Sequence, residues 1–369
     1  MKQITITKMR KFLFLALLGL FNITMSGQES NELEETLPGF SINGSVDTYF
    51  RANFNGLNKF VYGPDGEIPI AGPQAPATAF ANDPGFALGM ANVIFGYEGE
   101  KIGFVADLVF GPRGEEAVFL SMGSSNIVNQ LYVFYNISDN VKLTLGDFNT
   151  FLGYEVISPV DNFNYSTSYM FSYGPFSHTG LKADITLSDN WSAMFAIMNP
   201  TDYTEFDPFG VYTFGAQLGY SVGSGSAYLN LIYGEQAPGL DPTFQIDLTT
   251  GWNVSEAFYL GLNTTYNNTD DVGFYGAAFY PQLQTSDNFA IGLRAEYFKE
   301  LANGGNEVIV YDSDASVTAF TLTGNYTIGS LIIKPELRLD NVDRDVFLNQ
   351  DLEPTDNLSS FILAAVYAF

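Results

Sequence analysis

The sequence predicts an all-β fold, a transmembrane antiparallel up-and-down β-barrel of about 16 strands with short turns at one end and long loops at the other. Three observations predict it. The chain closes on a run in which Phe361, Leu363, Ala365, Tyr367 and Phe369 share one face with period two. It opens with Lys2, Lys8, Arg10 and Lys11 ahead of a short apolar run, 12–21, then the small residues Ser26 and Gly27. That order is the signature of a secretory signal peptide, and the apolar part is too short to cross a bilayer as a helix. Between the two ends, polar turns recur at intervals that leave room for two strands of about 10 residues and a loop.

In chain order, residues 1–27 read as the signal peptide, 28–38 as a polar periplasmic extension and 39–369 as the barrel. The first strand alternates clearly. Ile42, Val46, Thr48, Phe50, Ala52 and Phe54 would face lipid, while Asn43, Ser45, Asp47, Tyr49, Arg51 and Asn53 face inward. Ser-Asp-Asn fills three short turns, at Ser138, Ser188 and Ser286. Asp and Asn suit such turns because their side chains bond the local backbone and tolerate left-handed geometry. Four more fall at 98–100, 223–226, 255–257 and 329–330. Seven short turns join eight hairpins, which gives the strand count. Long Gly/Pro/Asp-rich connections are expected at 55–84, 111–125, 151–168, 199–208, 235–242, 268–273, 300–315 and 342–356. In outer-membrane barrels the short turns are periplasmic and the long loops extracellular. Near the C-terminus, Leu331, Ile333, Pro335, Leu337 and Leu339 alternate with Ile332, Lys334, Glu336, Arg338 and Asp340. Charges at four consecutive inward positions would each cost about 2–4 kcal/mol in hydrocarbon, so that face needs a polar interior.

Composition narrows the class further. Charged residues make up 15% of the chain, well under the roughly 25% of soluble domains, and aromatics reach the same 15%. A mean hydropathy of +0.05 is the average expected when each strand shows one face to lipid and one to water. There is no cysteine, which removes disulfides, thiolate metal sites and a lipoprotein anchor. The net charge of −26 becomes −30 once the four bases of the leader are removed, which argues against nucleic acid as a partner. Tyr97, Phe110, Tyr135, Tyr220, Tyr233, Trp252, Tyr266, Tyr297, Tyr367 and Phe369 suit the aromatic girdles at the two membrane interfaces.

The inward positions carry Arg51, Lys142, Lys182, Arg294, Lys334 and Arg338 against Asp47, Asp107, Asp184, Asp247, Glu296, Glu336 and Asp340. These are the expected pore-lining residues. The wall is nearly balanced, whereas the loops are acidic, so a weak preference for cations at the outer mouth is expected. Catalytic chemistry finds little support. The single histidine, His178, lies beside Ser177, and adjacent residues on a strand point to opposite faces. One histidine also excludes a histidine metal cluster, and no cofactor motif is present. The acid pairs Asp270 and Asp271, Asp312 and Asp314, and Asp343 and Asp345 lack the spacing of a dedicated calcium loop. Inward Tyr49, Tyr132, Phe134, Tyr228 and Tyr259 fit lumen packing, with sugar stacking as the functional alternative.

The stretch Leu145–Ala183 contains Gly146-Asp147, then Phe151-Leu152-Gly153-Tyr154-Glu155, Asn162-Phe163-Asn164-Tyr165-Ser166, Ser172-Tyr173-Gly174-Pro175 and His178-Thr179-Gly180. It resembles the OmpL-like β-barrel porins of the Gram-negative outer membrane. The resemblance implies a porin-type role and carries no catalytic residues to transfer; the polar inward face and the strand count make passive diffusion through a water-filled lumen the expected mechanism, with no cofactor. The expected partners are outer-membrane lipid and lipopolysaccharide, small hydrophilic solutes, and the barrel-assembly machinery through Phe369. A homotrimer is open. The loop 151–168 is dense in aromatics and Asn. Folded inward it would make Glu155 and Asp161 constriction charges; packed outside it would cover the barrel mouth. Two rival functions stand beside the porin: a closed barrel acting as a surface adhesin, and an outer-membrane hydrolase that depends on His178.

Overall fold

The computed structural model describes residues 38–302 and 309–369, so the expected leader and all but Pro38 of the expected extension lie outside the described residues. The barrel strands are β1 (Phe40–Asn53), β2 (Gly85–Glu98), β3 (Ile102–Phe110), β4 (Val128–Ser138), β5 (Val141–Asn149), β6 (Ser177–Thr186), β7 (Trp191–Met198) and β8 (Thr213–Val222). They continue with β9 (Gly225–Gly234), β10 (Thr243–Asn253), β11 (Phe258–Thr269), β12 (Val272–Ser286), β13 (Phe289–Leu301), β14 (Ser316–Ile328), β15 (Leu331–Val342) and β16 (Asn357–Ala368). Each pairs antiparallel with its sequence neighbours, and β1 pairs with β16 to close a barrel of 16 strands. Closure leaves no sheet edge with unpaired backbone groups, the condition for placing strands in lipid.

Closure is set at the chain terminus. Gly44 and Phe369 exchange two backbone hydrogen bonds of 3.0 Å. A Cβ at Gly44 would lie 2.6 Å from the Phe369 ring, so only glycine admits the terminal aromatic. The faces follow the predicted alternation. Leu131, Val133, Leu145, Phe195, Phe214 and Phe279 point outward and are more than half exposed, the pattern of a lipid-facing surface.

All seven short turns fall where predicted. One of the long connections does not. Residues 268–273 form a two-residue turn between β11 and β12, with Asp270 and Asp271 at φ 49° and 63°. Asn267 and Asn268 pair with Phe274 and Gly273, so composition that reads as loop belongs to the ladder. Asp adopts left-handed geometry readily enough to make the tight turn. The loop expected at 151–168 is longer and spans 150–176, because it continues through a short helix, α2 (Tyr169–Tyr173). Ser168 caps that helix by accepting the Phe171 N–H at 3.1 Å. The preceding long loop, between β3 and β4, carries α1 (Pro112–Ala117).

Candidate functional site: the lumen and its inward loop

Loop 150–176 leaves the rim between β5 and β6, enters the lumen and lies along the wall formed by β8, β10–β15 and β1. Glycines on that wall receive it. A Cβ at Gly215, Gly261, Gly276 or Gly292 would fall 2.5–2.8 Å from Phe151, Tyr154, Met170 or Phe163 respectively, so each glycine is a socket for one loop side chain. Tyr154 also stacks on Tyr280 of β12, with ring centroids 4.1 Å apart.

An irregular backbone inside a barrel must find partners for its N–H and C=O groups. Charged wall residues supply them. Glu296 accepts the Tyr169 and Met170 N–H groups at 3.0 and 2.9 Å. Glu336 accepts those of Tyr165 and Ser166 at 2.8 and 3.2 Å. Lys334 donates to the carbonyls of Pro159 (2.8 Å) and Asn162, and Arg338 to that of Thr167 at 2.9 Å. Arg294 donates to the Ser166 carbonyl and to Glu155, both at 2.6 Å, and to Thr321 at 3.0 Å. Asp340 is held by Arg338 at 2.8 Å and accepts the Tyr169 hydroxyl at 3.0 Å. Asp47 accepts the Tyr165 hydroxyl and the Met90 N–H.

The inward charges therefore fall into three groups. Asp47, Arg51, Arg294, Glu296, Lys334, Glu336, Arg338 and Asp340 are gathered on β1, β13 and β15 and buried. All but Arg51 hold loop 150–176; Arg51 holds the loop after β1 through the Gln74 carbonyl at 3.0 Å. Asp107 and Asp247 stand apart, also buried, within shells of asparagine. Lys142, Lys182 and Asp184 are half-buried on β5 and β6, with Lys182 and Asp184 paired at 3.3 Å. Of the two loop acids, Glu155 is buried against Arg294, whereas Asp161 is exposed.

Sequence reasoning missed Arg113 of α1, which is buried and donates to the carbonyls of Ile157 (3.2 Å) and Tyr165 (2.9 Å), with its guanidinium against the Phe80 and Tyr165 rings. Its one signal was a base in an otherwise acidic loop. The asparagines Asn92, Asn230 and Asn263 were missed as well; each sits at an inward position beside an inward acid.

Between the loop and β10–β11 runs a slit lined by Gly153, Phe171, Gly174, Gln245, Asp247, Asn263 and Thr265, with a free volume of about 10 Å³. That is about the space one water needs. The Asp247 carboxylate is held there by neutral donors only. They are the Gly153 N–H (3.0 Å), Asn230 (3.0 Å), Thr249 (2.9 Å) and Asn263 (2.6 Å). Such donors stabilise a carboxylate in place without cancelling its charge.

His178 is buried among the Phe148 and Phe151 rings, and its Nε2 meets the Thr150 hydroxyl at 3.0 Å. Its strand partner is inward-facing Phe148, while Ser177 lies opposite Asn149 on the outward face. Asp184 is engaged by Lys182. The three residues do not form a catalytic constellation. Among the acidic loop pairs, Asp312 and Asp343 each bond Arg344, at 2.9 and 2.8 Å, which ties two outer loops together.

Comparison with known proteins agrees with this architecture. Residues 39–369 match the family described as putative beta-barrel porin-2, OmpL-like. No curated protein matches. Among solved structures, the outer membrane channel DcaP of Acinetobacter baumannii superposes with a TM-score of 0.59 at 13% identity, covering 89% of this chain and 97% of its own. An anion-selective porin from Comamonas acidovorans gives 0.57 at 13%, covering 89% and 99%. OmpT of Vibrio cholerae gives 0.56 at 11%, covering 89% and 97%. Identities this low establish the shared fold alone. The closed barrel and the family match over nearly its whole described length agree: the chain belongs to the OmpL-like β-barrel porins of the bacterial outer membrane.

Proposed function

We propose that the chain is a passive, low-conductance diffusion channel for small hydrophilic solutes and ions with a weak preference for cations, and that the slit beside Asp247 is its narrowest passage. One observation carries this reading: Asp247 lines the slit within a shell of neutral donors. Farther along the same wall, on β13 and β15, acids and bases sit close together and offset one another. A permeating cation therefore meets a fixed negative charge at closest approach, the arrangement that biases ion choice in a pore. Lys142, Lys182 and Asp184 line the approach on β5 and β6, and the net charge of −26 adds attraction at the mouth.

Single-channel recording of the folded barrel in a planar bilayer under a salt gradient tests the reading. Small, stable steps with a cation-leaning reversal potential are expected, and Asp247→Asn should move that potential toward zero. Clear anion preference in the wild type, or an Asp247→Asn reversal potential equal to it, would refute the assignment. The tight seating of loop 150–176 favours one second reading, a barrel that never conducts and works through its acidic outer loops; a heat-modifiable protein without channel steps is its signature. We also propose that residues 1–27 are removed on export, which the intact mass of the exported protein tests.

A further inference from the structure

The outward face of β5 and β6 carries polar residues where lipid-facing ones are expected. Asp147 and Asn149 lie two apart on β5, opposite Thr179 and Ser177 of β6. They point away from the lumen, since the intervening Phe148 and its partner His178 point in. Nearby outward positions are apolar and exposed: Leu131 at 55% and Leu145 at 59%. Asp147 is only 6% exposed, because the loop after β7 folds down over it. That loop is docked by the Thr179 hydroxyl donating to the Thr204 carbonyl at 2.8 Å and by the Asn199 N–H donating to the Thr179 carbonyl at 2.9 Å. The loop before β4 holds it from the other side through Ser121 and Thr204, 2.6 Å apart, and the Met122 N–H on Glu205 at 2.9 Å.

Under this roof the oxygen atoms outnumber the donors. Asp147 Oδ1 lies 3.3 Å from the Thr179 hydroxyl, whose one proton is shared with the shorter bond to the Thr204 carbonyl, and the Ser177 hydroxyl is the other donor beside the carboxylate. Asp147 Oδ2 and Asn149 Oδ1 are buried with no hydrogen-bond partner. Asp202 of the roof loop acts electrostatically on Asp147, and its own carboxylate accepts the Phe176 and Ser177 N–H groups at 2.7 and 2.9 Å. None of the ion pairs among the described residues involves either acid. Two neighbouring carboxylates with no base, that of Asp147 buried, beside an unpaired amide oxygen, form an oxygen-only set of the kind hard cations take.

We propose that this pocket binds one divalent cation of the calcium type through Asp147, Asn149 and Asp202, and that the ion clamps the loop after β7 to the outside of the barrel. The donor set contains no nitrogen or sulfur, which disfavours zinc and copper. With only two carboxylates, affinity belongs in the weak range of extracellular calcium modules, about 10⁻⁴–10⁻³ M.

The test uses the full-length barrel in detergent, stripped with chelator, then titrated with calcium chloride in a calorimeter. Limited proteolysis of the loop at 199–212 is followed in parallel. Calcium should saturate one site near millimolar concentration and slow cleavage. Asp147→Asn should weaken binding by about tenfold or more and abolish the protection. If Asp147→Asn fails to give a heat-modifiable barrel, Asp202→Asn, which changes only the loop, carries the same expectation. Absence of saturable calcium binding in the wild type up to about 10 mM, an order above the expected range, would overturn the proposal. So would either folded variant binding as the wild type does, which would place the calcium on the outer acidic loops instead.

Discussion

Removing the Arg294 side chain should unseat the part of the loop that borders the slit. Arg294 is fully buried, and its partner Glu155 is 3% exposed at the side chain, with 2.6 Å between them. Arg294→Ala would leave the Glu155 carboxylate buried without its counter-charge, a change that costs about 3–5 kcal/mol in comparable buried pairs. At about 1.4 kcal/mol per tenfold, the unseated population should rise by about two to three and a half orders of magnitude. Glu296, Glu336, Lys334 and Arg338 still hold 159–170, so the movement should be confined to the segment around Gly153–Glu155, beside Asp247. The assay is single-channel conductance, read as larger steps or frequent open bursts relative to wild type. Arg294→Met combined with Glu155→Met replaces the pair by apolar side chains of similar length and should restore the small conductance, because no buried charge is left unpaired. A folded Arg294→Ala channel indistinguishable from wild type would refute the latch. A double variant as leaky as the single one would show that volume rather than charge holds the loop.

Two further outcomes follow from the geometry. Burial pushes the Asp202 carboxyl up to about 6, against two backbone N–H bonds that act the other way. Its folded-state value lies above the unfolded one, so the docking contribution is complete below about pH 4 and is lost as pH rises through 6. In chelator, protease resistance of the loop after β7 should therefore fall between pH 4 and 7, and Asp202→Asn should flatten the profile; an unchanged profile would remove Asp202 as the cause. At the closure seam, deleting Phe369 should lower the yield of heat-modifiable barrel in the outer membrane, consistent with a role in recognition by the assembly machinery. Equal yields from the truncated chain would dismiss that role.

The sequence by itself determined the barrel. Strand faces, turn positions and the polar interior are local properties, written in a period of two and in Asp-, Asn- and Gly-containing turns, and each could be read from a dozen residues at a time. The mixed charges of Leu331–Asp340 even announced that something polar had to meet them. Only the tertiary structure decided what that was. Lys334, Glu336, Arg338 and Asp340 pair with a loop more than 150 residues earlier in the chain, and no local pattern encodes such a contact. The same holds for Gly261 and Gly292, which look like ordinary strand glycines until Tyr154 and Phe163 occupy the space a side chain would fill. The turn at Asp270-Asp271 shows the limit from the other side: composition alone reads it as a loop, and the ladder beside it makes it a two-residue turn. Local sequence fixes which face a residue presents, whereas long-range packing decides whether that face meets water, a loop backbone or an ion.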